Sequence, residues 1–170
     1  MGSPAFSILP ARCEDVPYLL EMISELAAYE KLSHLLQVTA ERIEHDLFSD
    51  APAAEALLLW ADAGGDRRVP AAFALFFHNY STFLGRRGLW LEDLFVKPAW
   101  RKQGFGRALL QHVAGIAVAR QCGRFEWAVL DWNEPAIRFY ESVGATIMQD
   151  WRIARVTGSM IRKLATPGPR

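Results

Sequence analysis

The sequence predicts an α/β fold in which a mixed, mostly antiparallel sheet of about six to seven strands carries helices on both faces. The first half of the chain contains short apolar runs separated by turn residues, which is typical of strands that follow one another in an antiparallel meander. The second half alternates such runs with segments whose apolar residues recur at helical spacing, as in strands that are connected through helices.

Chain length and composition indicate one domain. The chain has 170 residues, and 51% of them are hydrophobic, so it can bury a core without a disulfide or a structural metal. We expect a single domain over residues 1–165. The last five residues, TPGPR at 166–170, predict a disordered tail.

The first half of the chain predicts three strands and two helices. Apolar residues recur at helical spacing after Val16, and Thr39 is placed to cap a second helix. Turn residues at 63–68 separate two apolar runs, which predicts an antiparallel hairpin. The expected elements are a strand at 5–9, a helix from Val16 to about Lys31, a helix after Thr39 through Leu47, and strands at 56–62 and 69–79.

The second half predicts four more strands and two more helices. Pro135 suits the first turn of a helix, and Gly144 is a natural helix end. The expected elements are a strand at 89–96, a helix after Gly106, a strand at 125–132, a helix from Pro135 to Gly144, and a closing hairpin of strands at 151–156 and 159–164.

Composition excludes several classes of protein. Lys plus Arg and Asp plus Glu are 19 each, so no net charge draws the chain to nucleic acid or to an anionic membrane. The apolar runs are shorter than the roughly 18 residues of a membrane span, and no signal peptide is evident. Cys13 and Cys122 lack a metal-type spacing, and the four histidines form no ligand pattern. We therefore expect no metal site and a cytoplasmic protein.

Two adjacent carboxylates interrupt the apolar strand LWLEDLFV at 89–96. Period-two alternation places Glu92 on one face with Trp90 and Leu94, and Asp93 on the other face. A buried carboxylate is costly without a partner, so each should meet a cation, a hydrogen-bond network or water. An ordinary ion pair explains one such residue as well as a function does, whereas the pair favours a functional site.

A basic, Gly-rich turn, RKQGFGRA at 101–108, joins this strand to the next helix. Backbone N–H groups beside Gly104 and Gly106 can close on an anion, and the helix N-terminus adds partial positive charge. A simple turn explains the glycines equally well. The segment lacks the Gly-Lys-Ser/Thr ending of a nucleoside triphosphate loop and the third glycine of a dinucleotide fingerprint.

The motif Arg101-x-x-Gly104-x-Gly106 after LEDLFV resembles the acetyl-CoA pyrophosphate loop of the GNAT superfamily of N-acetyltransferases. The run WNEPAIRFYESVGA at 132–145 resembles the second cofactor segment of that superfamily. Segments similar to its spermidine/spermine (diamine) N-acetyltransferase-like branch are ELAAYEK (25–31), YSTFLG (80–85) and VLDWN (129–133). The last two resemble in particular the thialysine N-acetyltransferase type.

The resemblance implies an enzyme that moves an acetyl group from acetyl-CoA to a primary amine of a small molecule, by direct attack in a ternary complex. The amine must first lose a proton, because a primary alkylamine with a pKa of about 10.4 is mostly charged at neutral pH. The resemblance implies that Glu92 accepts this proton through water and that Asp93 binds or orients the cationic substrate, with Ala27 and Thr82 as further substrate contacts. Tyr140 would protonate the departing CoA thiolate.

The resemblance also assigns the contacts to acetyl-CoA. They are Leu94, Phe95, Val96, Arg101, Lys102, Gln103, Gly104, Phe105, Gly106, Arg107, Asn133, Pro135, Ala136 and Tyr140. A β-bulge expected at the strand end, Leu94 to Val96, would leave backbone groups for pantetheine and for the thioester oxygen. Structural roles are open as well, because Asn133 is a normal N-cap and a Phe-Tyr pair on a helix is usually core packing.

Three alternatives stay open. Acetylation of spermidine or spermine is disfavoured, because Ser81, Thr82 and Phe83 stand where polyamine-specific members are expected to have acidic residues, and Ala28 stands where they tend to have Lys. Acetylation of a protein lysine or N-terminus predicts an open groove rather than an acidic pocket. A non-catalytic acyl-CoA sensor would keep the basic turn without turnover. The resemblance further implies a homodimer.

Overall fold

The structure is a computed structural model that describes residues 5–166. The chain divides into two compact units, Met1–Ala128 and Val129–Arg170. The first contains β1 (Phe6–Pro10), α1 (Val16–Tyr29), α2 (Ala40–Phe48), β2 (Glu55–Asp62), β3 (Arg68–Ser81), β4 (Arg86–Val96), α3 (Phe105–Ala119) and β5 (Phe125–Trp127). The second contains α4 (Glu134–Ser142) and α5 (Ser159–Ala165).

The first unit is built on one mixed sheet in the order β1-β2-β3-β4-β5. The first four strands form an antiparallel meander, and β5 pairs with β4 in parallel. The predicted α/β fold with a mixed, mostly antiparallel sheet is confirmed. The sheet has five strands in the described part of the chain, which is fewer than the six to seven expected.

The missing strands belong to the C-terminal prediction, which was wrong. Residues 151–156 carry no regular secondary structure, and residues 159–164 lie in helix α5. Most of the α5 sequence, SMIRKLA, is unbranched at Cβ, and such residues lose little side-chain entropy in a helix. The strand predicted at 125–132 spans only Phe125–Trp127.

Helices cover both faces of the sheet. On one face, α1 and α2 enclose a core with side chains from β2, β3 and β4. Its buried members are Val16, Leu19, Met22, Ile43, Ala56, Leu58, Phe73 and Phe95. On the other face lies α3, where the ring of Phe105 is 5.3 Å from that of Phe6. The strand β4 therefore has α1 on one face and α3 on the other, and a turn connects its end to α3.

In the second unit, α4 begins as its sequence predicts. The side-chain oxygen of Asn133 accepts a hydrogen bond from the N–H of Ala136 at 3.4 Å, and Pro135 occupies the first turn of α4. Gly144, with φ at 92°, follows the helix end. The predicted tail at 166–170 lies outside the described residues, except for Thr166, which ends α5.

Candidate active site

The strand β4 carries one extra residue, Glu92, in its ladder with β3. Leu75 pairs with Asp93, whereas the next residue, Phe76, pairs with Leu91. Glu92 therefore has no partner of its own in the ladder and forms a β-bulge. Such bulges add twist and re-aim side chains, and they are common beside active sites.

Both carboxylates lie on the face of β4 that α1 covers. Leu75 packs against the core under α1, and Asp93 is its cross-strand partner. Trp90 pairs with Phe77, which lies two residues beyond Leu75 on β3 and therefore on the same face. Trp90 Nε1 donates to Glu92 Oε2 at 2.8 Å, so the bulge holds Glu92 on the side of Trp90 and Asp93.

This arrangement corrects two expectations about β4. Leu94 faces α3, where a Cβ built on Gly106 would lie 3.7 Å from Leu94 Cδ2, so Leu94 and Trp90 lie on opposite faces. The strict alternation predicted for the strand was wrong, because the extra residue shifts the side-chain alternation by one. The bulge expected within Leu94–Val96 lies at Glu92 instead.

Asp93 is a partly buried carboxyl group whose pKa is raised to about 7. Loss of solvent raises the pKa most, and repulsion from the carboxylates of Glu92 and Glu30 adds to it. Burial also raises the pKa of Glu30, which follows the last residue of α1. Asp93 can therefore exchange a proton near neutral pH, beside two further carboxylates that attract a cation.

The backbone of β4 beyond the bulge faces an edge that no strand covers among residues 5–166. The parallel ladder with β5 ends at Leu91. Lys97 N–H donates to Ala71 O on β3 at 2.9 Å, so alternation turns the backbone groups of Leu94 and Val96 toward the opposite edge. Backbone N–H groups on such an edge can bind an extended ligand or a developing oxyanion.

The turn between β4 and α3 adopts the backbone conformation that its glycine predicts. Gly104 is the N-cap of α3 with φ at 84°, and Lys102 also has a positive φ of 63°. The first N–H groups of a helix have no acceptor within the helix, so α3 presents donors at this turn. The Phe105 side chain is buried against Phe6 and Trp100, which leaves only its backbone for a ligand.

Basic side chains surround this turn. Arg101, Lys102 and Arg107 are exposed, and the Nε–H of Arg101 donates to Val96 O at 3.0 Å. Gln103 folds back, its Nε2 donating at 3.4 Å to a carbonyl of the short 3-10 turn Pro98–Trp100 that precedes it. The segment thus combines three cationic side chains with the first N–H groups of a helix, and both kinds of group bind anions.

Two other residues, Ala27 and Thr82, are also expected to contact the substrate. Thr82 is at the exposed tip of the β3–β4 hairpin, and the stretch of β4 from Arg86 to Glu92 spans about 20 Å at roughly 3.3 Å per residue. The structure therefore does not bring Thr82 to the carboxylates within this chain. Ala27 is partly buried in the last turn of α1, three residues before Glu30.

The remaining predicted residues, Asn133, Pro135, Ala136 and Tyr140, belong to the second unit. Asn133 serves as an N-cap, which is the structural role that the sequence also allowed. Tyr140 is partly buried on α4, and its ring centroid lies 5.3 Å from that of Phe139.

Sequence reasoning missed three residues of the first unit that contact the predicted site. The charge of Glu30 raises the pKa of Asp93, and Trp90 donates a hydrogen bond to Glu92. The centroid of the Tyr29 ring lies 4.6 Å from the guanidinium carbon of Arg101. Tyr29 and Glu30 end an amphipathic helix within the segment ELAAYEK, which was the available signal.

The described part of the chain contains neither a metal-binding cluster nor a membrane-spanning helix. No group of three His, Cys, Asp or Glu side chains within residues 5–166 could hold a metal ion. No helix within the same residues is long and apolar enough to cross a membrane.

Residues 20–145 match the model of the acetyltransferase (GNAT) family. The chain is 36% identical to thialysine N-epsilon-acetyltransferase of Sus scrofa, over 93% of this chain and 96% of that protein. It is 34% identical to an L-ornithine N5-acetyltransferase of Arabidopsis thaliana, over 88% of this chain and 83% of that protein. These matches confirm the resemblance that the motifs indicated.

A solved structure shares the fold. An integron cassette protein from the mobile metagenome of V. cholerae superposes with a TM-score of 0.75 at 22% identity, over 95% of this chain and 98% of that one. The family match covers the bulged strand, the Gly-rich turn and the helix that carries Tyr140. The chain therefore belongs to the acetyltransferase (GNAT) family of enzymes, whose members use acetyl-CoA.

Proposed function

We propose that this protein transfers an acetyl group from acetyl-CoA to the terminal primary amine of a small molecule, a lysine-like amino acid or a diamine. The observation that carries the proposal is the bulge at Glu92. It sets Glu92 and Asp93 on one face of β4, while the backbone of Leu94 and Val96 faces an edge without a strand. A proton acceptor and donors for an acyl group thus lie within a few residues of each other.

We assign the acceptance of the amine proton to Asp93. Its pKa of about 7 suits a general base at neutral pH. The family resemblance assigned this proton to Glu92, but Glu92 is exposed and accepts a hydrogen bond from Trp90, which suits it to hold the ammonium group. A cationic substrate also offsets the repulsion among these carboxylates and Glu30, which favours its binding.

The turn from Arg101 to Arg107 would hold the pyrophosphate of acetyl-CoA through its cations and the first N–H groups of α3. The open edge of β4 would bind pantetheine and the thioester oxygen. Once neutral, the amine attacks the thioester carbon directly. Tyr140 gives a proton to the departing sulfur, and the segment from Asn133 to Ala136 contacts the pantetheine arm.

The substrate class rests on the relatives and on the hairpin tip. The names of the relatives specify thialysine and ornithine, each with a primary amine at the end of a short chain. Spermidine and spermine are longer, and the resemblance places acidic residues near 80–85 in the members that bind them. This chain has Ser81, Thr82 and Phe83 there instead, which supports a shorter amine.

CoA release from acetyl-CoA tests the proposal. The panel is thialysine, lysine, ornithine, putrescine, spermidine, spermine and a lysine peptide, at about pH 8, where more of each amine is neutral than at pH 7. We expect turnover of a lysine-like or ornithine-like amine, lowered roughly 100-fold in Tyr140→Phe. Binding of acetyl-CoA without turnover of any amine would indicate a sensor. Turnover of polyamines or of the peptide alone would contradict the substrate class.

We also propose that the enzyme is a cytoplasmic homodimer. The family resemblance supports the dimer, and residues 151–156 expose Trp151, Ile153 and Val156. The thiols of Cys13 and Cys122 are free, in keeping with a reducing compartment. Sedimentation velocity should give twice the 19.1 kDa of one chain, and a single-chain mass would contradict the dimer.

A further inference from the structure

One stripe of α1, formed by Glu21, Glu25 and Tyr29 at intervals of four residues, faces the end of β4 and the turn that follows it. Lys97 Nζ donates to Glu21 Oε1 at 2.7 Å and lies 3.5 Å from Glu25 Oε1. The guanidinium carbon of Arg101 lies 4.6 Å from the centroid of the Tyr29 ring. The stripe therefore holds both cations that flank the short turn Pro98–Trp100.

The two cations are held in different ways. Two carboxylates neutralise the ammonium group of Lys97, whose side chain is only 19% exposed. Tyr29 attracts the guanidinium of Arg101 through the negative face of its ring, which leaves the charge of the cation in place. Arg101 thus keeps its charge for an anion, whereas the charge of Lys97 is matched within the chain.

The contacts also fix the direction of the Arg101 guanidinium. Its Nε–H donates to Val96 O at 3.0 Å, and the Phe95 ring lies 5.7 Å from its central carbon. Within residues 5–166, the terminal nitrogens of Arg101 have no hydrogen-bond acceptor. A planar guanidinium with both terminal nitrogens available suits two oxygens of a phosphate group.

We propose that Tyr29 is a positioning residue for Arg101. Its ring holds the guanidinium, charged and oriented, beside the turn that receives the phosphates of acetyl-CoA. The inference rests on the proposed function, which assigns that turn to the pyrophosphate. Glu30, the next residue, raises the pKa of Asp93, so the same helix end also contributes to the amine side of the site.

Calorimetric titration of acetyl-CoA into the full chain tests the role of Tyr29. Tyr29→Phe keeps the ring and should bind with the wild-type Kd. Tyr29→Leu removes the ring face and should weaken binding roughly two- to fivefold. Tyr29→Glu places a carboxylate against Arg101 and should weaken binding roughly tenfold, because the cation is then matched within the chain. KM for acetyl-CoA should rise in the last two variants by about the same factor as the Kd, and kcat should change less than KM.

Tyr18→Leu is the matched control. Tyr18 lies on α1 with the same 39% exposure as Tyr29, and its ring contacts Trp60 rather than an arginine. The control should lower the melting temperature about as much as Tyr29→Leu and leave the Kd unchanged. In an Arg101→Met background, Tyr29→Leu should have no further effect on the Kd.

Several outcomes would overturn the positioning role. These are a wild-type Kd in Tyr29→Leu, an equal loss of affinity in Tyr18→Leu, and an equal loss in Tyr29→Phe. Unchanged affinity in Arg101→Met would also overturn it while leaving the proposed function intact. A wild-type protein that does not bind acetyl-CoA would overturn the proposed function and the inference with it.

Discussion

At the scale of single residues, Asp93 couples stability to the proposed chemistry. Its pKa is raised from 3.8 to about 7 by burial and by the neighbouring carboxylates. The folded chain therefore disfavours the charged form relative to the unfolded chain. The stabilisation associated with the protonated group is fully present below about pH 4 and is lost as the pH rises through about 7.

Replacement of Asp93 by Asn should reverse this loss. At about pH 4, where both side chains are neutral in the folded state, Asp93→Asn should change the free energy of unfolding little. At about pH 8 it should raise that free energy by on the order of 1–3 kcal/mol, because water that reaches the partly buried group reduces the full value of about 1.4 kcal/mol per pKa unit. Urea unfolding at both pH values measures the difference. The exposed control Asp50→Asn should show no such pH dependence, and an equal effect of Asp93→Asn at both pH values would contradict the account.

At the scale of elements, α3 offers a matched pair of glycines. Gly104 and Gly115 both have open space where a Cβ would be, but only Gly104 has a positive φ, at 84°. Gly104→Ala should lower the free energy of unfolding by about 1–2 kcal/mol and weaken acetyl-CoA binding, because a left-handed alanine is strained. Gly115→Ala lies within the helix and should raise stability by about 0.5–1 kcal/mol without changing the Kd. Thermal unfolding and calorimetry check both, and equal effects at the two positions would exclude a special conformation at Gly104.

The bulge in β4 can be tested by deleting its extra residue. Without Glu92, the pairs of Leu75 with Asp93 and Phe76 with Leu91 can continue as a regular ladder. The deletion variant should therefore fold, as circular dichroism can show, but lose turnover roughly 100-fold or more, because it lacks the Glu92 carboxylate and the twist that the bulge adds to the strand beside Asp93. Glu92→Gln keeps the bulge and should lose less. A deletion variant with wild-type turnover would show that the bulge is not required.

Features that depend on local sequence could be predicted, whereas features that depend on tertiary contacts could not. The side chains of Thr39 and Asn133 are typical of helix N-caps, and each caps a helix as expected. The bulge at Glu92 depends on the register against β3, which no apolar pattern records. The approach of Glu30 to Asp93 depends on how α1 packs on the sheet. The carboxylates and the basic turn of the candidate site could thus be proposed from the sequence, whereas their arrangement depends on tertiary packing.

At the scale of the whole molecule, the family match spans residues 20–145 and crosses from the first compact unit into the second. We propose that both units together form the single acetyltransferase domain that the sequence predicts. Within the matched range, the first unit contains Asp93, the open edge of β4 and the basic turn, and the second unit contains Tyr140 on α4.

The most direct test of the central claim, that the carboxylates of the bulged strand take the amine proton, is the pH dependence of CoA release with the best amine of the panel. The rate of the wild-type enzyme should rise with pH and bend near pH 7, where Asp93 becomes ionised. Asp93→Asn should be slower by roughly 100-fold and lack that bend. Wild-type rates with an unchanged bend in Asp93→Asn would contradict the claim.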